Sequence, residues 1–162
     1  DDPLDAAITF SNGGDTASVP GEFDGVNSVG WGDLTSIFPG AIALTSVWYY
    51  PGRISTIVET DTIFSNGPGF TWSYTRPRYG EDEHRYDDPT NSGPSTTLDV
   101  RNIGTHEFGH WLYLEDLYDD THLNMTMYGY GARGELKKDS LALGDAKGIS
   151  AIYPSKHRST DD

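Results

Sequence analysis

The chain has 162 residues, a length that suits one domain with a sizeable core. Its formal net charge of −14 argues against nucleic-acid and anionic-membrane partners, because both need a basic protein face. The lack of cysteine excludes disulfides, cysteine nucleophiles, thiolate zinc sites and iron–sulfur clusters. We therefore expect a monomer with no nucleic-acid partner and no membrane partner.

Aspartate greatly outnumbers glutamate among the 25 acidic residues. Such a composition is typical either of calcium-binding loops or of a solvated acidic surface. No run of residues matches an EF-hand loop, so the solvated surface is favoured. Ca²⁺ is kept as a second candidate cofactor.

The 19 glycines and 9 prolines are too many for a helical bundle and predict strands joined by turns. A short helix remnant is expected at residues 3–10. Residues 41–50 and 55–64 are rich in β-branched and aromatic side chains and predict two strands. Residues 51–53 fit a hairpin connection between them, and residues 70–75 predict a third, edge-like strand.

Two helices are predicted in the second half of the chain. Residues 76–97 are polar and predict a long loop, a kind of segment that often carries function. Residues 98–114 have helical apolar spacing, with cap candidates at Thr96, Thr97 and Asp99. Residues 141–153 predict a second helix that Pro154 stops.

Together these elements predict an α+β fold. About four strands form a twisted mixed sheet that packs against the two helices. We expect a single domain over residues 1–154 and a charged tail over residues 155–162.

The motif that carries chemistry is HExxH, formed by His106, Glu107 and His110 within the first of these predicted helices. Histidines at positions i and i+4 project from one helix face, so both imidazoles can bind one metal ion. Glu107 follows the first histidine and can take a proton from water at that metal. The alternative is a helix with two ordinary surface histidines.

Catalytic zinc needs a third protein ligand and one open position. Helix geometry requires a bend after Leu112 if a ligand is to come from the next few residues, since Asp116 would otherwise face away. Spacing does not choose among the downstream candidates, which are Glu115, Asp116, Asp119, Asp120 and His122.

The stretch LDVRNIGTHEFGHWL, residues 98–112, resembles the active-site helix of matrixin-type metzincins. That family carries HExxHxxGxxH, with Asp as the last ligand in snapalysin-like members. The resemblance implies one catalytic Zn²⁺ held by His106, His110 and Asp116. The family glycine falls on Tyr113, which is a mismatch.

Further segments carry the same resemblance, including residues 24–32, 58–64 and 144–153. Met127 resembles the methionine of the family's Met-turn, with Met125 as its rival. In the closing helix, Asp145 is implied to accept bonds from backbone beneath the site. The family's N-terminal strand and most of its first helix are not recognised ahead of these segments.

Tyr128 and Tyr130 follow the Met-turn methionine. Either hydroxyl could stabilise the oxyanion formed when water attacks a peptide carbonyl. Packing of the two rings near a turn is the alternative interpretation.

The resemblance implies a zinc endopeptidase in which Glu107 is the general base and a peptide or protein is the substrate. The cleft would run between the sheet edge and the segment after Tyr113. Because the chain begins with Asp1, we expect a processed protein whose removed pro-segment or N-terminal fragment is a candidate partner. A secreted or cell-surface location is also implied.

Two alternatives belong to other functional classes. One is a catalytically inactive zinc-binding domain with the metzincin fold, which binds zinc without turnover. The other is an acidic Ca²⁺-dependent surface module in which HExxH is accidental, which binds no zinc.

Overall fold

The computed structural model describes residues 6–75 and 94–155. The fold within these ranges is α+β, as the sequence predicts, with a mixed sheet and two α-helices. A short 3₁₀ turn at Asp120–His122 lies between the helices. The elements are β1 (Ser28–Gly32), β2 (Ala43–Tyr50), β3 (Arg53–Ser65), β4 (Trp72–Ser73), β5 (Leu98–Asp99), α1 (Val100–Trp111) and α2 (Leu143–Ile152).

The main sheet has the order β1-β3-β2, with the long strand β3 at its centre. β1 runs parallel to β3, with Ser28 opposite Asp61. β2 runs antiparallel to β3 through a tight hairpin, with Thr45 opposite Thr62. Within the described ranges, β2 therefore keeps one edge that no other strand pairs.

A second pair of short strands fixes the start of α1. β4 lies parallel to β5, and Trp72 is opposite Leu98. The next residue, Asp99, caps the helix because one carboxylate oxygen accepts from the backbone N–H groups of Arg101 and Asn102. Its other oxygen accepts from the N–H of Thr75, so the cap also holds the end of β4.

The core includes the interface at which α1 packs against β2 and β3 of the main sheet. Its buried side chains include Phe64, Ile103, Leu112 and Ile149. Trp111 faces the sheet, and its indole N–H donates to Thr62 Oγ1 at 2.8 Å. No helix in the described part of the chain is long and apolar enough to cross a bilayer.

Several sequence predictions of local structure are wrong. The strands form two separate sheets rather than one sheet of about four strands. The first helix spans Val100–Trp111 instead of 98–114, because Leu98–Asp99 pairs with β4 and the chain reverses after Trp111. The strand β1 was not predicted, since its two glycines weaken the alternating pattern.

The N-terminal segment also differs from its prediction. The described part of residues 3–10 is not helical: Ala6 bridges to Pro154, and the N–H of Ala7 donates to the Tyr153 carbonyl. Trp31 on β1 is 53% exposed, although its ring packs against those of Phe64 and Trp72. Residues 76–93 of the predicted loop and 156–162 of the predicted tail lie outside the described residues.

Candidate metal centre

The helix α1 ends in a sharp turn at Tyr113, which has a φ of 66°. The N–H of Tyr113 donates to the His110 carbonyl, and the N–H of Leu114 donates to the Gly109 carbonyl. This double closure is a Schellman motif, whose left-handed residue is usually glycine. The Tyr113 ring packs edge-on against Tyr49, with centroids 5.8 Å apart, and this contact offsets the cost of the conformation. The bend required after Leu112 is therefore present, and tyrosine makes it.

The two HExxH histidines are oriented through their Nδ1 atoms. His106 Nδ1 lies 2.7 Å from the Thr126 carbonyl, and His110 Nδ1 lies 2.7 Å from the Leu114 carbonyl. A carbonyl can only accept, so each Nδ1 carries the proton and donates it. In a neutral imidazole with its proton on Nδ1, Nε2 carries the lone pair, and this is the tautomer that binds a metal through Nε2.

Asp116 lies opposite these two nitrogens because the turn at Tyr113 reverses the chain. Its neighbour Leu117 is bonded to the segment around Met127: the Leu117 N–H donates to the Met127 carbonyl, and the Leu117 carbonyl accepts from the N–H of Gly129. Asp116 Oδ1 lies 3.1 Å from His106 Nε2 and 3.7 Å from His110 Nε2. Its other oxygen, Oδ2, accepts from the Tyr118 hydroxyl at 2.9 Å.

The positions of these two Nε2 atoms and of Asp116 Oδ1 favour a shared metal ion over hydrogen bonds among the three side chains. They lie within 4.8 Å of one another, and Asp116 Oδ1 is a buried oxygen with no hydrogen-bond partner. Three acceptors that converge on one point repel unless a cation lies among them. Zinc, at about 2.0–2.1 Å from each ligand, sets tetrahedral ligand atoms about 3.3 Å apart. The donor set therefore matches a zinc site with one position left open.

Electrostatics at Asp116 agree with this arrangement. Burial by itself would raise the pKa of the Asp116 carboxyl. When the imidazoles are protonated, a hydrogen bond from His106 and the positive charges of His110 and His106, together with the Tyr118 hydroxyl, outweigh burial and hold this pKa below its ordinary value. Asp116 is therefore an ionised ligand candidate at neutral pH.

His122, the rival third ligand, does not join this group. It lies in the 3₁₀ turn, where its Nδ1 is 3.4 Å from the Thr121 hydroxyl. Within the described residues, the cluster with metal-ligand geometry contains His106, His110 and Asp116.

Glu107 lies beside the cluster on the same helix and is only 5% exposed. Its Oε2 accepts a hydrogen bond from the Thr45 hydroxyl at 2.6 Å. The carboxylate thus lies at the junction of α1 and the edge strand β2, where it can accept a proton from a water held beside the three candidate ligands.

The segment beneath the histidines is built around Met127, which is 2% exposed. A Cβ on Gly109 of α1 would overlap the Met127 sulfur, so the glycine lets the two segments touch. Asp145 accepts from the N–H groups of Thr126 and Met127 at 2.9 and 3.3 Å, confirming the expected backbone bonds. Through the Thr126 carbonyl, this network extends to His106.

A cavity of about 760 Å³ opens in front of the site. β2 forms one wall, α1 forms the floor, and residues after Met127, including Gly129–Gly131, form the other wall. Tyr130 lines the cavity, whereas Tyr128 is not among its lining residues and its hydroxyl points to Asp120 Oδ1 at 3.4 Å. Of the two expected oxyanion donors, the structure brings Tyr130 to the cavity.

Sequence reasoning missed three residues of this site. Thr45 holds Glu107, Tyr118 holds Asp116, and the buried Lys138 donates to the carbonyls of Tyr128 and Tyr130. Burial lowers the pKa of the Lys138 ammonium, and the neighbouring Glu135 opposes this effect. Only Tyr118 carried a sequence signal, since it lies two residues after a ligand candidate.

Comparison with known proteins adds no identification. No protein-family model, curated protein or solved structure matches the chain. The geometry of the site and the HExxH motif are therefore the basis for assigning a function.

Proposed function

We propose that this protein is a zinc-dependent endopeptidase of the matrixin-like metzincin type. The observation that carries the proposal is the convergence of His106 Nε2, His110 Nε2 and the unpartnered Asp116 Oδ1 within 4.8 Å of one another. Two nitrogens and one carboxylate oxygen with an open fourth direction are typical of catalytic rather than structural zinc sites.

The residues around the cluster suit peptide hydrolysis. Bound zinc would polarise a peptide carbonyl and make a neighbouring water more acidic. Glu107 takes the proton from that water as it attacks the carbonyl carbon, and then gives the proton to the departing amine. The cavity-lining Tyr130 is the better placed of the two proposed hydrogen-bond donors to the developing oxyanion.

The cavity and the sheet edge together suit an extended peptide. The outer edge of β2 is unpaired within the described ranges, and its residues Ala43, Thr45 and Val47 line the cavity. A substrate strand can add to such an edge through main-chain hydrogen bonds. Its scissile bond would then lie over the histidines of α1.

Three local features support the metzincin assignment in particular. The chain reverses in the left-handed conformation at the position where the family has its glycine, here Tyr113. Met127 packs under the HExxH helix, and Asp145 binds the backbone of the Met-turn segment.

The experiment that tests the proposal is metal analysis beside peptide hydrolysis. We expect one zinc per chain, hydrolysis of casein or a quenched peptide, and loss of that hydrolysis when a chelator removes the metal. Glu107→Ala should keep the zinc and the fold but reduce turnover by roughly 10²–10⁴-fold, because the histidines remain and the base does not.

The outcomes separate the three functional classes. Stoichiometric zinc without turnover in the wild-type protein would contradict the peptidase and support an inactive zinc-binding domain. Absence of zinc would contradict both and leave the acidic surface module. Full turnover in Glu107→Ala would overturn the assignment of the general base.

A further inference from the structure

We propose that Thr45 is a positioning residue that fixes the orientation of the Glu107 carboxylate, and that Thr62 and Trp111 hold Thr45 in place. The inference rests on the proposed function in one respect only, namely that Glu107 acts as the base. It adds three residues from two strands and the end of α1 to the machinery of the site.

Four side chains form one continuous chain of hydrogen bonds. The Trp111 indole N–H donates to Thr62 Oγ1 at 2.8 Å. Thr62 Oγ1 lies 2.7 Å from Thr45 Oγ1, which in turn lies 2.6 Å from Glu107 Oε2. These are good hydrogen-bond lengths, and the chain ends on the carboxylate beside the metal cluster.

Donor chemistry fixes the direction of every bond. An indole N–H can only donate, so the Thr62 oxygen must accept from Trp111. An ionised carboxylate can only accept, so the single proton of Thr45 points to Glu107. The bond between the two threonines must then use the proton of Thr62. The proton order therefore runs from Trp111 to Glu107 without a choice at any step.

Regular backbone geometry brings these four side chains together. Glu107 and Trp111 are four residues apart on α1 and lie on the same helix face. Thr45 and Thr62 are directly opposite in the β2–β3 register, so their side chains point to the same face of the sheet. The helix packs across that face, and the pair of threonines fills the space between the base and the indole.

Fixing one carboxylate oxygen has a consequence for catalysis. The last torsion of a glutamate side chain is broad, so an untethered carboxylate would sample many orientations. Thr45 engages Oε2, which leaves Oε1 as the oxygen available to accept a proton. General bases lose much of their effect when they are misplaced by about an ångström. Thr45 also lies on β2, the strand proposed to bind substrate, so the same strand would position both Glu107 and the substrate.

The first test is kinetic and uses the zinc-loaded protein. Thr45→Val, which conserves shape but removes the hydroxyl, should lower kcat about tenfold with little change in KM. Thr45→Ser restores the hydroxyl and should restore most of kcat. The matched control is Thr60→Val, a buried threonine on the same sheet whose side chain makes no hydrogen bond to Glu107 in the described part of the chain, and it should leave kcat unchanged.

The second test does not depend on activity. The indole N–H of Trp111 gives its own proton resonance, with the three other tryptophans as internal references. In the zinc-loaded protein, Thr45→Val and Glu107→Gln should both move the Trp111 resonance upfield, because each breaks or weakens the polarised chain. Thr60→Val should not move it, and Glu107→Gln keeps this test informative if Thr45→Val fails to fold.

A Trp111 resonance that is the same in wild type, Thr45→Val and Glu107→Gln would overturn the proposal. So would a Thr45→Ser variant whose kcat falls as far as that of Thr45→Val. If the wild-type protein binds zinc without hydrolysing peptides while the resonance shifts as expected, the endopeptidase function fails and the positioning of Glu107 by Thr45 stands.

Discussion

Two aspartates, Asp61 and Asp116, each have a buried carboxylate oxygen and serve opposite purposes. Both oxygens of Asp61 are saturated: Oδ2 accepts from the N–H of Gly21, and Oδ1 accepts from the N–H and hydroxyl of Ser28. Asp116 has one oxygen on Tyr118, and its buried Oδ1 has no hydrogen-bond partner. The neighbouring Glu59 resembles Asp61, since its oxygens accept from the backbone N–H groups of Asp24 and Gly25.

The difference teaches how to recognise a ligand among the 25 acidic residues of this chain. A buried carboxylate whose two oxygens both accept hydrogen bonds from nearby N–H or hydroxyl groups stabilises a loop and does not need a metal to satisfy it. A buried oxygen left without a donor, facing two imidazole nitrogens, is costly unless a cation completes it. By this criterion Asp61 is structural, and Asp116 is the proposed ligand.

The largest effect should come from Asp116→Ala. Structural zinc sites have binding free energies of about 10–16 kcal/mol over four ligands, or about 2.5–4 kcal/mol per ligand, so losing one ligand should weaken zinc binding by roughly 10²–10³-fold. His122→Ala is the control and should leave zinc affinity unchanged. Competition titration with a chelator measures both variants. If His122→Ala loses the metal and Asp116→Ala keeps it, the unpartnered oxygen that distinguishes Asp116 from Asp61 does not mark a metal ligand.

Asp61→Asn should instead lower the free energy of unfolding by about 3 kcal/mol, because an amide cannot replace a carboxylate that accepts three hydrogen bonds. Urea unfolding should give the same loss with and without zinc, and zinc affinity should not change. The control is Asp33→Asn, an exposed carboxylate that accepts from the N–H and hydroxyl of the nearby Thr35, with an expected loss below about 1 kcal/mol. A zinc-dependent loss in Asp61→Asn would show that the two regions are not independent.

Gly129→Ala tests the same contrast at Asp116, because it displaces the unpartnered Oδ1 of Asp116 without removing it. A Cβ at Gly129 would lie 2.5 Å from Tyr118 Cε1 and 3.1 Å from Asp116 Oδ1. We expect zinc affinity to fall about 10–100-fold, the range seen when outer groups that orient a ligand are displaced. Gly13→Ala, where the added Cβ meets nothing within 4 Å, is the control. Unchanged zinc affinity in Gly129→Ala would mean that Asp116 does not need its present position.

The smallest effect is expected for Met127→Leu, which changes packing under the site but no polar group. A buried exchange of Met for Leu usually costs less than about 1.5 kcal/mol, so zinc content and hydrolysis should remain. Thermal unfolding and a peptide assay measure this, with Met125→Leu as the matched variant. Loss of hydrolysis with zinc retained would reveal a chemical role for the Met127 sulfur.

Short-range patterns predicted much of the fold. The hairpin of β2 and β3, the helix carrying HExxH and the closing helix were recognised because turn residues and apolar spacing are local properties. β1 escaped because it depends on pairing with β3, and its own residues are a weak strand sequence. The short pair β4–β5 was misassigned at its second strand for the same reason: Leu98–Asp99 reads as a helix start until Trp72 is placed beside it.

The candidate site shows the same difference between residues that local patterns predict and residues that long-range contacts bring together. The sequence alone determined His106, Glu107 and His110, because residues one and four apart on a helix stay together whatever surrounds them. It left Asp116 open among five candidates, because that choice depends on a reversal at Tyr113 that the residue type does not favour. Only the tertiary structure brought Thr45 to Glu107, a contact between residues 62 positions apart. That contact depends on the register of β2 with β3 and on the way α1 crosses the sheet. Neither can be predicted from a short stretch of sequence.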